Sequence, residues 1–450
     1  MEPNAKGSVG RGGKRDKPDT EVSEISGILG FRKTGKRGII MKILILTGRF
    51  GMGHVSAANA IAEQAAAGKG NSVEIVDLAA YTLPRASRWI YGAFELLARH
   101  GKSLYNFIYR QAGKRDENEW TTFTALCMKK LTAFMESRDP DVVVSTLPLS
   151  SLLVSNYKER REKQTGRKSE LKLITCITDI SSHSEWIQPH TDLYLVGGKL
   201  VKRRLMEKGV EPQKILVTGI PVGQAFLEPA EAGEENKASQ IGETDRNEAA
   251  RHETDRYETD SGKATEGSSR PRRLLIMGGG LGLLPKSADF YTALNAMENV
   301  QVTVITGHNK KLYHAIAGRY ANIEAVGYTR QVAQYMKQAD VVLTKPGGIT
   351  MFEVIFSGKP ALFFAPSLQQ EVNNMEFALH YRMGRVLPKE KGQWAEQIAR
   401  VMQDPQAIAD MARGARRLRG RYRRDGLRLV FEGLAAENQN RAGAVCCGER

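Results

Sequence analysis

The chain has 450 residues, and its 66 Lys and Arg against 50 Asp and Glu give a formal net charge of +16. Hydrophobic residues make up 41% of it, which is enough for packed cores and excludes a wholly disordered chain. The sequence shows no apolar run near the roughly 18 residues of a spanning helix, no secretory signal and too few cysteines for a disulfide framework.

The basic excess predicts a polyanionic partner, which could be nucleic acid, an anionic membrane or a phosphorylated substrate. Residues 1–40 are rich in Gly, Lys and Arg without periodicity, so we predict a disordered basic arm. Residues 229–270 hold 11 acidic against six basic residues and repeat Glu-Thr-Asp three times, which predicts a low-complexity acidic linker. The linker separates predicted domains at 41–228 and 271–430, and 431–450 is predicted to be a flexible tail.

Each half opens with a continuous apolar strand that leads into a glycine-rich turn. In the first half the strand at 42–47 precedes Gly48–His54 and an Ala-rich helical run at 56–66. In the second half the strand at 273–277 precedes Gly278–Gly282. Further apolar runs, separated by helical patterns, lie at 73–76, 142–144, 173–178, 193–196, 302–306, 341–344 and 361–364. Such strands are typical of parallel sheets buried on both faces, so we predict an α/β fold of two Rossmann-like domains facing a central cleft.

The stretch 81–115 interleaves aromatic residues with seven basic residues and one acidic residue. Aromatic side chains at an interface, with arginines that reach lipid headgroups, are typical of a monotopic membrane surface. The predicted membrane-binding residues are Arg85, Trp89, Tyr91, Phe94, Tyr105 and Phe107. A core-facing amphipathic helix with a solvated basic face is the alternative. The eight arginines at 413–428 fit a second lipid-facing patch or a solvated helix equally well.

The segment from Leu343 to Glu353 has the strongest local pattern in the sequence. A buried strand stops at Lys345-Pro346, two glycines follow, and a helix begins. Such a turn places main-chain N–H groups and the positive end of the helix where a diphosphate can bind. Glu353, about one turn inside the helix, is positioned to accept two ribose hydroxyls. Gly279 and Gly280 belong to a second loop that could face phosphate or be an ordinary tight turn.

These motifs together resemble monogalactosyldiacylglycerol synthases and bacterial diacylglycerol glucosyltransferases. The motifs of the second half are Thr344-Lys-Pro-Gly-Gly-Ile-Thr-Met-Phe-Glu353, Gly358-Lys-Pro360 and Gln370-Glu371 with Asn374. Those of the first half are Gly51-Met-Gly-His54, Thr178-Asp179 with His183 and Trp186, Asp192-Leu-Tyr194 and Val217-Thr-Gly-Ile-Pro-Val222. The resemblance runs from Met41 to about Val386, apart from the linker. The peptidoglycan N-acetylglucosaminyltransferase shares the fold and the donor site.

The resemblance implies a GT-B glycosyltransferase that inverts the anomeric carbon and takes a UDP-sugar. It assigns Gly347, Gly348 and Thr350 to the diphosphate, Glu353 to the ribose and Tyr328 to the uracil. Gln370 and Glu371 are expected to contact the hexose, with Asn374 beside them. Gln369 stands where the family usually has Gly, which leaves the choice between UDP-glucose and UDP-galactose open. The expected acceptor is diacylglycerol in an anionic membrane.

An inverting transfer needs a base for the acceptor hydroxyl and stabilisation of the departing UDP. His54, next to Gly53 in the turn after the first strand, is the predicted base, although it could instead cap the helix or bind phosphate. Asp179 and His183 follow a strand end and are predicted to orient His54 or the acceptor. Helix dipoles and Lys345 could neutralise the leaving group, so no metal and no cofactor is expected.

The sequence thus predicts a peripheral enzyme on the cytoplasmic face of the cell membrane, which moves glucose or galactose to diacylglycerol. Two enzymatic alternatives remain open, namely sugar transfer to a polyprenyl-linked peptidoglycan precursor and 2-epimerisation of a UDP-sugar. A basic nucleic-acid-binding protein is the non-enzymatic alternative, but no RNA- or DNA-binding motif is visible and no nucleic-acid partner is expected.

Overall fold

The computed structural model describes residues 41–68, 71–100, 122–228, 270–366 and 368–447. Within these ranges the chain forms two parallel sheets of six strands, and helices flank both sheets. The predicted α/β class with two Rossmann-like domains is therefore confirmed. The predicted arm at 1–40 and all of the predicted linker except Arg270 lie outside the described residues.

The first sheet has the spatial order β2-β1-β3-β4-β5-β6. Its strands are β1 (Lys42–Thr47), β2 (Ser72–Asp77), β3 (Val142–Ser145), β4 (Lys172–Cys176), β5 (Leu193–Val196) and β6 (Ile215–Val217). Its helices are α1 (Met52–Ala66), α2 (Leu78–Thr82), α3 (Ser87–His100), α4 (Thr122–Arg138), α5 (Pro148–Thr165), α6 (Lys199–Glu207) and α7 (Gln224–Leu227). Because helices cover both faces, the apolar residues of β1 and β3 are all buried.

The second sheet has the spatial order β12-β11-β10-β7-β8-β9. Its strands are β7 (Arg272–Met277), β8 (Val300–Ile305), β9 (Ile323–Val326), β10 (Val341–Thr344), β11 (Ala361–Phe363) and β12 (Gly384–Val386). Its helices are α8 (Ala288–Asn295), α9 (Lys310–Ile316), α10 (Val332–Gln338), α11 (Gly348–Ser357), α12 (Gln369–His380), α13 (Trp394–Gln403) and α14 (Pro405–Arg419). Short 3₁₀ turns lie at Ser184–Trp186, Pro212–Lys214 and Lys391–Gln393.

The strand order reverses between β1 and β3 in the first sheet and between β7 and β10 in the second. Loops that leave neighbouring strands in opposite directions open a crevice at the carboxyl ends of the strands. In this chain the two crevices face each other, because residues from the loops after β1, β4, β7 and β10 line one common cleft.

The C-terminal segment is the clearest departure from the predicted domains. We expected the second domain to end at residue 430 and 431–450 to be a flexible tail, but a helix, α15, runs from Gly426 to Cys447. Its residues Leu427, Val430, Phe431 and Leu434 belong to the same core cluster as Ile43 and Ile61 of the first domain. The prediction was wrong because this apolar stripe follows an arginine-rich segment that obscured it. The last helix therefore completes the first domain.

Aromatic side chains of the second domain fill a glycine-lined surface of the first. A Cβ on Gly219 would lie only 2.9 Å from the ring of Phe352, and a Cβ on Gly198 would lie 3.0 Å from the ring of Phe377. The hydroxyl of Tyr422 donates to the carbonyl of Gly197 at 2.8 Å. Larger residues at these glycines would push the domains apart, so the glycines permit the close domain contact that shapes the cleft.

Candidate active site

The cleft between the two sheets has a volume of about 780 Å³. It brings together all but one of the catalytic and substrate-binding residues predicted from the sequence. Those that line it are Gly53, His54, Asp179, Gly279, Gly280, Tyr328, Lys345, Gly347, Gly348, Thr350, Glu353, Gln370, Glu371 and Asn374. His183 is not among the lining residues, and its Nδ1 lies 3.4 Å from Oε2 of Glu185.

His54 lies in the first turn of α1, which begins at Met52 after a sharp turn at Gly51 (φ +85°). The Nδ1 of His54 and the hydroxyl of Thr178 are hydrogen-bonded at 3.0 Å, and the main chain of Thr146 is a second partner of the ring. Burial lowers the pKa of His54 to about 4, although the bond to Thr146 acts in the opposite direction. The imidazole is therefore neutral at pH 7, as a base must be.

The two partners of His54 are residues that the sequence analysis did not single out as ligands of the ring. We expected Asp179 and His183 to orient His54 or the acceptor, and the ring contacts of His54 come instead from Thr178 and Thr146, so only the role toward the acceptor stays a prediction. Threonines at the ends of buried strands are common and give no signal in one sequence. Only the parallel neighbours β1, β3 and β4 bring these residues together.

Asp179 offers a second titratable group to the cleft. Burial raises its pKa to about 6, and the nearby charge of His183 and hydrogen bonds from Ser181 lower it in part. Its Oδ1 is buried and has no hydrogen-bond partner among the described residues. A buried carboxylate oxygen without a protein partner is costly, and a substrate hydroxyl could satisfy it.

The second domain presents a helix N-terminus to the same space. No side chain caps α11 at Gly347, where the main chain turns in from β10. A Cβ on Gly348 would lie 2.3 Å from the carbonyl oxygen of Thr178, so only glycine allows the two domains to approach here. The uncapped N–H groups and the helix dipole make this end of α11 suited to an anion.

The loop after β7 packs as a tight turn and also lines the cleft. Gly282 serves packing, because a Cβ there would lie 1.8 Å from the carbonyl oxygen of Thr306. Gly279 adopts φ +68° with no atom within 4 Å of its Cβ position, and it lines the cleft. A Cβ on Gly280 would meet the side chain of Met52 in the first domain at 2.6 Å. The loop is thus a tight turn whose first two glycines after Gly278 face the opposite domain.

Glu353 lies inside α11 with its side chain toward the cleft. Burial raises its pKa to about 7, well above the usual range of a glutamate. On the rim of the cleft the rings of Tyr328 and His308 stack with centroids 4.3 Å apart and planes 15° apart. His308 was not predicted. Flat aromatic faces at this rim suit a planar ring such as the predicted uracil.

Lys345, predicted to neutralise the leaving group, and Glu371, predicted to contact the hexose, are held by protein contacts. The Nζ of Lys345 lies 2.7 Å from Oε1 of Glu371, and Oε2 of the same carboxylate accepts from the N–H of Leu368 at 3.3 Å. Glu371 therefore caps α12 and partly neutralises Lys345. Their proposed contacts with the donor require this pair to open or to share its charge with the ligand.

Asn374 links the two domains. Its Oδ1 accepts from the N–H of Ile180 at 2.8 Å, and its Nδ2 donates to the carbonyl of Pro346 at 3.0 Å. The residue is 1% exposed. Asn374 lines the cleft, where we predicted it to bind substrate, and it joins the loop after β4 to the loop after β10.

The predicted membrane residues divide into two groups on α3 and the loop before it. Arg85 and Trp89 are exposed, Trp89 at 73%, and the guanidinium of Arg88 lies 5.9 Å from the Trp89 ring centroid. Tyr91 and Phe94 instead turn inward and contact Phe50. Tyr105 and Phe107 lie outside the described residues. In the described parts of the chain, every helix is too short or too polar to cross a bilayer.

Comparisons with known proteins match both domains. Residues 54–222 match the family described as monogalactosyldiacylglycerol (MGDG) synthase, and residues 274–421 match the glycosyltransferase family 28 C-terminal domain. The chain is 25% identical over 381 residues to a processive diacylglycerol beta-glucosyltransferase of Bacillus licheniformis, covering 84% of this chain and 90% of that protein. It is 26% identical over 341 residues to the protein of the same name in Bacillus subtilis, covering 75% and 80%.

Among solved structures, the chain is similar to MurG of Acinetobacter baumannii, with a TM-score of 0.52 and 13% sequence identity. The match covers 88% of this chain and 98% of that one. At this identity the likeness shows the fold alone, which agrees with the two facing Rossmann-like domains.

Proposed function

Because the chain belongs to the glycosyltransferases that combine an MGDG synthase domain with a family 28 C-terminal domain, we propose that it transfers a hexose from a UDP-sugar to diacylglycerol. The observation that carries the proposal is the position of the cleft, which lies between the two matched domains and is lined by both. The relatives named diacylglycerol glucosyltransferases favour this acceptor over the polyprenyl, epimerase and nucleic-acid alternatives.

The proposed reaction is a single displacement at the anomeric carbon. The acceptor oxygen forms a bond to C1, the bond from C1 to the β-phosphate oxygen breaks, and its electron pair leaves with UDP. The base in the cleft takes the proton of the acceptor hydroxyl, and His54 is the proposed base, with Asp179 the second candidate. The relatives are named beta-glucosyltransferases, and an α-linked UDP-sugar gives a β-product when the displacement inverts the carbon.

The proposed donor site lies in the second domain and uses no resident metal or cofactor. The uncapped N-terminus of α11 at Gly347 and Gly348, with Thr350 beside it, would hold the diphosphate. Glu353 would accept the ribose hydroxyls, and Tyr328 would face the uracil. Gln370 and Glu371 would contact the hexose, with the charge of Lys345 near the departing phosphate.

The proposed location is the cytoplasmic face of the cell membrane, with the chain bound peripherally. The exposed Trp89, the exposed Leu96 (63%) and the basic Arg85 and Arg88 support contact of α3 with anionic headgroups. The choice between glucose and galactose belongs to this proposal too, and the names of the relatives favour glucose.

A donor-by-acceptor matrix tests the function. The purified full chain is incubated with labelled UDP-glucose, UDP-galactose or UDP-N-acetylglucosamine, and with vesicles that contain diacylglycerol or a polyprenyl-linked acceptor. We expect labelled glycolipid from a UDP-hexose and diacylglycerol. Formation of product on the polyprenyl acceptor alone, or conversion of donor without any lipid, would replace the proposal with the corresponding alternative.

A further inference from the structure

The hydroxyl of Tyr91 lies between α3 and the turn that leads to His54. The hydroxyl donates to Oδ1 of Asp77 at the end of β2, and the main chain of Arg49 is also hydrogen-bonded to the Tyr91 hydroxyl. A Cβ on Gly48 would lie only 3.2 Å from it. One side chain of α3 thus contacts the main chain of the turn six residues before His54.

The carboxylate of Asp77 has further partners besides the Tyr91 hydroxyl. Its Oδ1 also accepts from the N–H of Ala80 at 2.9 Å and so caps α2. Arg49 lies with its Nε 3.4 Å from Oδ2, but its side chain is 69% exposed, so that ion pair contributes little. The short chain of contacts from α3 to the turn therefore depends on Tyr91 and Asp77.

Ring contacts reinforce the same connection. Phe50 meets the ring of Tyr91 with centroids 5.1 Å apart and the ring of Phe94 with centroids 5.4 Å apart, both edge to face. Phe50 and Phe94 line the cleft. Through Phe94, helix α3 thus forms part of the cleft wall beside Phe50, which lies four residues before His54 in the chain.

The opposite face of α3 has a different environment. Trp89 and Leu96 are seven residues apart, so they lie on one side of the helix, and both are largely exposed. Tyr91 is two residues from Trp89, which places it on the far side of the helix. A partner surface that buries Trp89 and Leu96 would therefore contact α3, the helix whose Tyr91 contacts the turn before His54.

We propose that Tyr91 is a positioning residue that couples docking of α3 on a lipid surface to the placement of the Gly48–Gly51 turn and of His54. This inference rests on the proposed function. Binding of the exposed face to a bilayer favours the arrangement of α3 in which the Tyr91 hydroxyl holds the turn, since a ligand shifts a conformational equilibrium toward the state that it binds better. Turnover is then faster on vesicles than on the same headgroup dispersed in water.

The test compares kcat on two forms of the acceptor. The full chain is assayed with UDP-glucose and either long-chain diacylglycerol in anionic vesicles or a short-chain diacylglycerol dispersed as monomers. For the unchanged protein we expect the ratio of the two kcat values to be well above one. Tyr91→Phe keeps the ring contact with Phe50 and loses the hydroxyl, so we expect the ratio to fall roughly tenfold, with vesicle binding in sedimentation unchanged.

The matched control is Tyr81→Phe, which removes a hydroxyl from an exposed tyrosine whose ring packs on Phe134 at 4.6 Å. We expect it to leave the ratio unchanged, and Asp77→Ala, which removes the acceptor of the Tyr91 hydroxyl, to lower the ratio as Tyr91→Phe does. A Tyr91→Phe protein with the ratio of the unchanged chain would overturn the inference, and so would an unchanged chain whose ratio is one. Absence of glycolipid from both acceptor forms would instead sink the proposed function.

Discussion

The hydroxyl of Thr178 lies 3.0 Å from Nδ1 of His54, across 124 positions of sequence. Since Thr178 follows β4 and His54 opens α1, this contact fixes the imidazole at the reversal point of the first sheet. His54 lines the same cleft as Gly347 and Gly348 of the second domain. The placement of His54, the proposed base, therefore depends on the packing of the sheet rather than on the glycine-rich turn alone.

His54→Ala is expected to lower kcat by roughly 10²–10⁴-fold, the usual range for loss of a general base. Affinity for UDP should remain unchanged, because the proposed UDP contacts lie in the second domain. Steady-state kinetics and calorimetric titration of UDP measure the two effects. His314→Ala, which removes an exposed histidine on α9, is the control and should change neither quantity. Near-normal turnover of His54→Ala would exclude His54 as the base.

The pH dependence of transfer should distinguish the two candidate bases. A base must be unprotonated, so the rate falls as pH drops through its pKa. With His54 as the base and its pKa at about 4, we expect kcat/KM for the acceptor to persist at pH 5.5, where an ordinary histidine is mostly protonated. An inflection near pH 6 that disappears in Asp179→Asn would assign the proton transfer to Asp179 instead.

Glu353→Ala is expected to weaken binding of UDP roughly tenfold or more, because hydrogen bonds to a charged group in a buried site are the stronger ones. Deoxyuridine diphosphate, which lacks the 2′-hydroxyl, provides the matched comparison. It should bind the unchanged protein more weakly than UDP does, whereas Glu353→Ala should bind both nucleotides alike. Equal loss of affinity for both nucleotides on mutation would contradict contact with that hydroxyl.

Asn374→Ala is expected to destabilise the protein by about 2–4 kcal/mol, since it leaves the N–H of Ile180 and the carbonyl of Pro346 without their buried partner. Chemical denaturation measures the change. Asn373→Ala, next to it on α12 and less buried, should cost much less. If both variants lose the same free energy of unfolding, the link between the domains does not contribute as the contacts indicate.

The strands were predictable where an unbroken apolar run is buried on both faces, as in β1, β3 and β10. Strands β6, β9 and β12 were not predicted; they lie at sheet edges, and Glu324 of β9 and Arg385 of β12 interrupt the apolar run. Helix α15 had a readable signal in Leu427, Val430, Phe431 and Leu434, spaced as one face of a helix. The arginine-rich segment at 413–428 favoured an interpretation by charge alone.

The glycine-rich loops of the site were predictable because glycine and strand ends mark them locally. The contacts of Thr178 and Thr146 with His54 were not, because they join distant positions and use common residue types. The contact of Tyr91 with Asp77 spans only 14 positions, but its residue types are common and give no signal in one sequence. For Asn374 the resemblance predicted a position beside the donor. That both ends of its side-chain amide are bonded to the main chain was not predictable, because the partners, Ile180 and Pro346, are distant in sequence.

Because α15 packs on the first sheet, the predicted linker at 229–270 does not divide the chain into two independent folding units. A fragment ending at residue 228 would leave the face of Ile43 and Ile61 without Val430 and Phe431. A fragment beginning at residue 270 would carry those two residues with no surface to bury them. To express the two domains separately, the chain would have to be cut a second time before α15. The last helix would then have to be joined to the first fragment.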